Sequence, residues 1–132
     1  MNAGAGRGGA GGVALAGALG FSAVALGAFG AHGLRERLGP GMIDVYRTGA
    51  LYHLVHAVVA LVVALGAERL RRPRLILGLL TAGVVVFSDS LYALAITGLV
   101  NLGAVTPLGG LLLLGAWATL MAEVFGGAPG GA

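Results

Sequence analysis

The chain has 132 residues, of which 58% are hydrophobic and 10% charged, and its mean hydropathy is +0.95. That balance leaves too few polar residues to clothe a soluble domain, and the length is that of a single one. Cysteine is absent, which excludes disulfides, thiolate metal sites and cysteine nucleophiles, while the net charge of +3 rests on arginines placed mostly between apolar runs rather than on a nucleic-acid-binding patch.

In chain order, residues 1–12 (MNAGAGRGGAGG) read as a flexible tail. Four apolar runs follow, at 13–31, 49–67, 75–100 and 107–125. Each meets or approaches the ~20 residues a helix needs to cross a hydrocarbon core about 30 Å thick. The expected fold is all-α, an integral membrane four-helix bundle in one domain (13–125), with 126–132 as a flexible C-terminal tail. The first run follows Arg7 and ends among small residues, as a secretory signal would. It is longer than a usual signal core and carries a packing seam of its own, so it reads as a retained span.

The first connection, GLRERLGPGMIDVYR, mixes charges with Leu34, Leu38, Met42, Ile43, Val45 and Tyr46. It either lies along the interface as an amphipathic helix or extends the second span outward. The second connection is the short ERLRRPR and the third the uncharged NLGAVT. Thr106 and Pro107 read as a capping oxygen followed by a proline in the first helical turn. Arg7, Arg69, Arg71, Arg72 and Arg74 fall on one side of an even-span protein, against Arg35, Arg37 and Arg47 on the other. The side with more arginine is expected to be cytoplasmic, which places both termini there.

Along the first span, Ala16, Gly20, Ala23, Gly27 and Gly30 recur at four-and-three spacing and share one helical face, with Phe21 and Phe29 pointing elsewhere. Helices in lipid have little hydrophobic reason to associate, so close backbone approach must supply the attraction. In the second span Ala57, Ala60 and Ala64 fall on the face that carries His53 and His56, which turns both histidines toward the bundle interior. Trp117, deep in the last span, reads as a wedge whose indole N–H needs a partner.

The polar constellation comprises His32, His53, His56, Ser88, Asp89, Ser90 and Tyr92. Topology gathers the three histidines toward one membrane face. Asp89 lies past the middle of the third span, at a depth from which it could meet His56. An isolated carboxylate there costs at least a few kcal/mol, so Asp89 is expected to be protonated or paired with His56 or with the hydroxyls of Ser88, Ser90, Tyr92 or Thr97. The bland reading is a hydrogen-bonded structural pair; the functional one is a proton- or cation-responsive site. His53 and His56, at i and i+3, could hold a metal with His32 or Asp89, but no zinc motif supports this. No cofactor is expected, since haem would need opposed histidines. Ser88, His56 and Asp89 spell a hydrolase triad without its nucleophile elbow, so no catalytic residue is assigned.

ALGAFGAHGL, TGALYHLVHAVV, VFSDSLYAL and TPLGG followed by GAW, spread over about residues 26–117, resemble the YgdD/YwdK-like (DUF423) family of small bacterial inner-membrane proteins. The resemblance implies a four-helix membrane protein of unknown biochemical role, and it brings no catalytic residues with it. The family pattern reads FSGSLY where this chain has FSDSLY, so Asp89 stands where the resemblance implies glycine. Three functions are open: a non-enzymatic structural or accessory protein that packs against itself or a larger membrane complex, a minimal proton-coupled transporter or channel using Asp89 and His56, and a metal-binding membrane protein. The lipid bilayer is the one partner common to all three, and no nucleic acid is expected.

Overall fold

The computed structural model describes residues 3–126. Four long helices follow one another: α1 (Ala3–Phe29), α2 (Pro40–Leu65), α3 (Pro73–Thr97) and α4 (Thr106–Phe125). Proline sits in the first turn of the last three, where its missing N–H leaves no gap in the ladder. Ahead of α2 it also holds the preceding residue out of helical geometry: Gly39 is extended with φ −61° and ψ 160°. α3 stops at Gly98, whose φ of 71° lets its N–H return to the Leu94 carbonyl at 2.8 Å.

The structure differs from two expectations of the sequence reading and resolves one open alternative. α1 is helical from Ala3, where a loose chain was expected up to residue 12, and Gly12 already packs between Ala64 and Leu77. Of the two options for the first connection, α2 takes the outward extension, because Gly39 and Pro40 start the helix nine residues before the apolar run. Thr106 does not cap α4; its hydroxyl lies 2.7 Å from that of Ser90, and no side chain caps that helix. The final tail lies outside the described residues, apart from Gly126, whose N–H bonds the Ala122 carbonyl.

Close packing runs in chain order, α1 on α2, α2 on α3 and α3 on α4. α2 and α3 therefore form the central pair with α1 and α4 outside them. The main core joins Ala16 and Leu19 of α1 to Ala60 and Val63 of α2, Leu80 and Val84 of α3, and Leu113 and Ala116 of α4. A second cluster, with Tyr46, Tyr92 and Ala95, closes the end near the α1–α2 turn. Large apolar side chains such as Phe21, Val62, Leu114 and Phe125 face outward. All four long helices are apolar and long enough to span a bilayer, with their backbone groups bonded internally.

Where dispersion must replace the hydrophobic effect, glycines set the spacing. A β-carbon on Gly109 would collide with the backbone of Phe87, and one on Gly83 would lie 2.8 Å from Leu113 Cγ. At the α2–α3 crossing, Gly49 leaves room for the Tyr92 ring, Leu91 and the Ser88 backbone carbonyl, and the Ser88 hydroxyl donates to the Gly49 carbonyl at 2.8 Å. Ala16, Ala23 and Gly30 of the first-span seam are buried, and Gly30 is filled by the Tyr46 ring. Gly20 and Gly27 are half-buried, and a β-carbon at either meets nothing within 4 Å. The tight positions against other helices are thus Gly12, in the first half of α1, and Gly30, just past its end.

Candidate functional site

His53 and His56 project from the buried face of α2 and are 3% and 5% exposed. They share a helical face, yet their partners diverge. His53 Nε2 lies 3.1 Å from the Ser22 hydroxyl on α1, and its Nδ1 lies 3.0 Å from the Tyr92 hydroxyl on α3. Ser22 Oγ also lies 2.9 and 3.0 Å from the carbonyls of Ala18 and Leu19, which can only accept; with its hydrogen given to them, Ser22 Oγ accepts from Nε2–H. Tyr92 then donates to Nδ1. One imidazole thereby ties three helices together.

His56 uses the opposite tautomer. Its Nδ1 lies 2.7 Å from the Tyr52 carbonyl, which can only accept, so Nδ1 carries the proton. The indole N–H of Trp117 on α4, which can only donate, reaches His56 Nε2 at 3.2 Å. The Tyr52 ring stacks on the imidazole at 5.8 Å between centroids and packs on Phe87 at 4.6 Å. Trp117 is 46% exposed, so the expected wedge lies half outside the bundle, although its N–H finds the partner it needs.

The tyrosine at the turn completes the arrangement. Tyr46 is buried against Gly30, and its hydroxyl donates to the Leu26 carbonyl at 2.6 Å, one turn before α1 widens into the π-helical segment Gly30–Leu34. Its ring lies 4.8 Å from that of Tyr92, so the His53 network is backed by a second aromatic layer. Among the described residues, every buried side-chain nitrogen and oxygen has a hydrogen-bond partner.

The remaining candidates do not join this network. His32 is exposed in the π-helical segment, away from the other two histidines' bonds. Ser88 bonds the Gly49 carbonyl, and Ser90 bonds the Phe87 carbonyl and Thr106. Asp89 is exposed and, among the described residues, takes part in no hydrogen bond or ion pair. Of the alternatives open for Asp89, the pairing with His56 is not formed: a helix turns 100° per residue, and Asp89 lies exposed beside the buried Ser88 and Tyr92. No group of three His, Asp or Glu side chains among the described residues is placed to share a cation.

Sequence reasoning missed Ser22 and Glu123. Ser22 was legible as a hydroxyl inside an otherwise apolar span. The Glu123 carboxylate on α4 accepts the backbone N–H groups of Arg71 and Arg72 at 2.6 and 3.1 Å, closing the α2–α3 connection onto the end of α4. An acid at the end of an apolar helix was its only signal.

Four membrane-length helices, cross-tied through buried imidazoles, define a small polytopic membrane protein. The family model described as a protein of unknown function, DUF423, matches residues 26–110. The UPF0382 membrane protein YwdK of Bacillus subtilis is 44% identical over 98 residues, covering 72% of this chain and 80% of its own. A UPF0382 membrane protein of Haemophilus influenzae is 41% identical over 102 residues, covering 76% and 82%. The UPF0382 inner membrane protein YgdD of Escherichia coli is 37% identical over 108 residues, covering 77% and 79%. The chain belongs to the DUF423 family. No solved structure matches it.

Proposed function

We propose that this protein is a structural or accessory component of the inner (plasma) membrane, with both termini cytoplasmic, that acts by association rather than by catalysis. The observation that carries this reading is how the two histidines are used. All four ring nitrogens lie within hydrogen-bond distance of groups of the same chain, and the partners of His56, a carbonyl and an indole N–H, fix its tautomer. Groups so committed hold helices in register.

Association is supported by an acid exposed within a span, Asp89 of α3. Asp89 sits four residues past the centre of α3, hence about 6 Å from mid-span by helical rise. A carboxyl facing acyl chains there costs a few kcal/mol, which a partner removes. A second copy, related by a two-fold axis along the membrane normal, presents its own Asp89 at the same depth, and two carboxyl groups can hydrogen-bond to each other. Gly78 and Ala82, exposed on the same side of α3, permit close approach.

The chain has no cysteine, so single cysteines report the interface directly. In membranes, Ala82→Cys is expected to form an oxidative cross-link between copies, and Phe21→Cys on the exposed side of α1 is not. Asp89→Asn preserves the cross-link, since an amide also pairs with itself, and Asp89→Leu weakens it. Equal cross-linking at both cysteines, or none at Ala82→Cys, rejects self-association through α3. A pH-driven flux in liposomes that Asp89→Asn abolishes in the folded protein would favour a proton-coupled carrier instead.

A further inference from the structure

We infer that the groove between α2 and α4 is a binding site for an anionic phospholipid, with an acyl chain along the groove and the phosphate at Arg69. The groove has a volume of about 370 Å³ and is lined by Val58, Val62 and Gly66 of α2 and its end, Trp117 and Leu120 of α4, and Arg69. It exists because α2 and α4 both pack on α3 while Trp117 holds them apart, its N–H reaching across to His56. From Val58 to Gly66 it runs eight residues, about 12 Å along the helix, from mid-span to the membrane surface.

The chemistry changes along that path in the way a phospholipid's does. The deep part offers only aliphatic and indole surface. Gly66 removes the side chain at the upper end, where α2 gives way to the Ala67–Arg69 turn. Arg69 stands at the mouth, exposed, with no hydrogen bond or ion pair from its side chain among the described residues. A guanidinium offers five donors in a planar fork suited to a phosphate.

The charge around the mouth favours an anionic headgroup over a zwitterionic one. Arg69 shares its connection with Arg71, Arg72 and Arg74. Of the nearby acids, Glu123 is bound to the Arg71 and Arg72 backbone, and Glu68 is exposed. Arg71 donates to the Gly126 carbonyl at 2.9 Å, which leaves Arg69 as the cation that lines the groove. A free phosphate would use the arginine alone, whereas a lipid uses the arginine and the aliphatic wall together.

Trp117 is the only tryptophan in the chain and lines the groove, so its fluorescence reads occupancy. The full chain is reconstituted in phosphatidylcholine bilayers containing a small fraction of phosphatidylglycerol or phosphatidylcholine with brominated acyl chains. Brominated phosphatidylglycerol is expected to quench Trp117 with roughly five-fold higher relative affinity, the ratio that one arginine near an anionic headgroup confers. High salt reduces that ratio. Arg69→Gln brings it close to one, Arg35→Gln on the opposite side leaves it unchanged, and Val62→Phe, which fills the groove, lowers quenching by both lipids. Equal quenching by the two lipids in the unmodified protein, or an anionic preference that survives Arg69→Gln, overturns the assignment. Soluble phosphate that removes the preference at matched ionic strength would show that the arginine binds the anion without the chain, and would overturn it also.

Discussion

The indole N–H of Trp117 donates to Nε2 of His56 across 3.2 Å, joining α4 to α2 although the two helices make their close contacts with α3. This bond decides the fate of the His56 proton, since the Tyr52 carbonyl holds it on Nδ1 from the other side of the ring. Interhelical hydrogen bonds in membranes contribute about 0.6 kcal/mol on average and up to about 1.7. Trp117→Phe and His56→Leu should each destabilise the bundle, and a double-mutant cycle should return a favourable coupling of roughly that average. Unfolding in mixed detergent, followed by circular dichroism, measures it. Additive single effects would mean the bond contributes nothing.

His53 should be the more sensitive imidazole, because it joins three helices and is buried at both nitrogens. Tyr92→Phe removes the donor to Nδ1 and leaves a buried acceptor unpaired, at an expected cost of about 1–2 kcal/mol. Ser22→Ala leaves Nε2–H without its acceptor, with a loss of similar size. Each should lower the melting temperature in detergent without changing helix content. A loss of helix at low temperature, before any transition, would contradict a purely cross-tying role.

The glycines separate into two groups that the sequence does not distinguish. Gly109→Ala drives a methyl group into the Phe87 backbone, which cannot move aside as a flexible side chain would, and should cost about 1–3 kcal/mol or more. Gly20→Ala and Gly27→Ala meet open space. They should be neutral or stabilising by up to about 1 kcal/mol through helix propensity. Thermal melting of the three variants side by side tests the contrast, and equal destabilisation at all three would refute it.

Glu123 should govern the end of α3. Its carboxylate accepts the Arg71 and Arg72 backbone N–H groups just ahead of that helix, in the place of a side-chain cap. Glu123→Ala is expected to cost about 1 kcal/mol, the usual value of a lost cap. Hydrogen exchange should rise at the Arg71 and Arg72 amides and stay unchanged in the middle of α3. Unchanged exchange at both amides would remove Glu123 from this role.

Much of the architecture was legible in composition and spacing. Runs of about 20 apolar residues are long enough to cross lipid as helices, which satisfy the backbone internally, and Pro107 marked the start of the last one; Pro40 and Pro73, not read as helix starts, begin two others. The inward direction of His53 and His56 followed from the alanines sharing their face, because a helix repeats every 3.6 residues. Asp89 was misjudged for a related reason: depth along a span is read by counting, but the direction a side chain faces depends on which neighbours that helix acquires.

Hydrophobicity and periodicity, properties of each segment alone, set the solvent, the number of crossings and the existence of a buried polar face. The assembled bundle adds that His53 reaches Ser22 and Tyr92 while His56 reaches Trp117, that Gly109 and Gly83 rather than Gly20 and Gly27 carry the tight contacts, and that Asp89 is left exposed. Those outcomes depend on the relative rotation and crossing of whole helices. In lipid these are set by the sum of many small dispersion contacts and a few directional hydrogen bonds, and no single segment contains that sum.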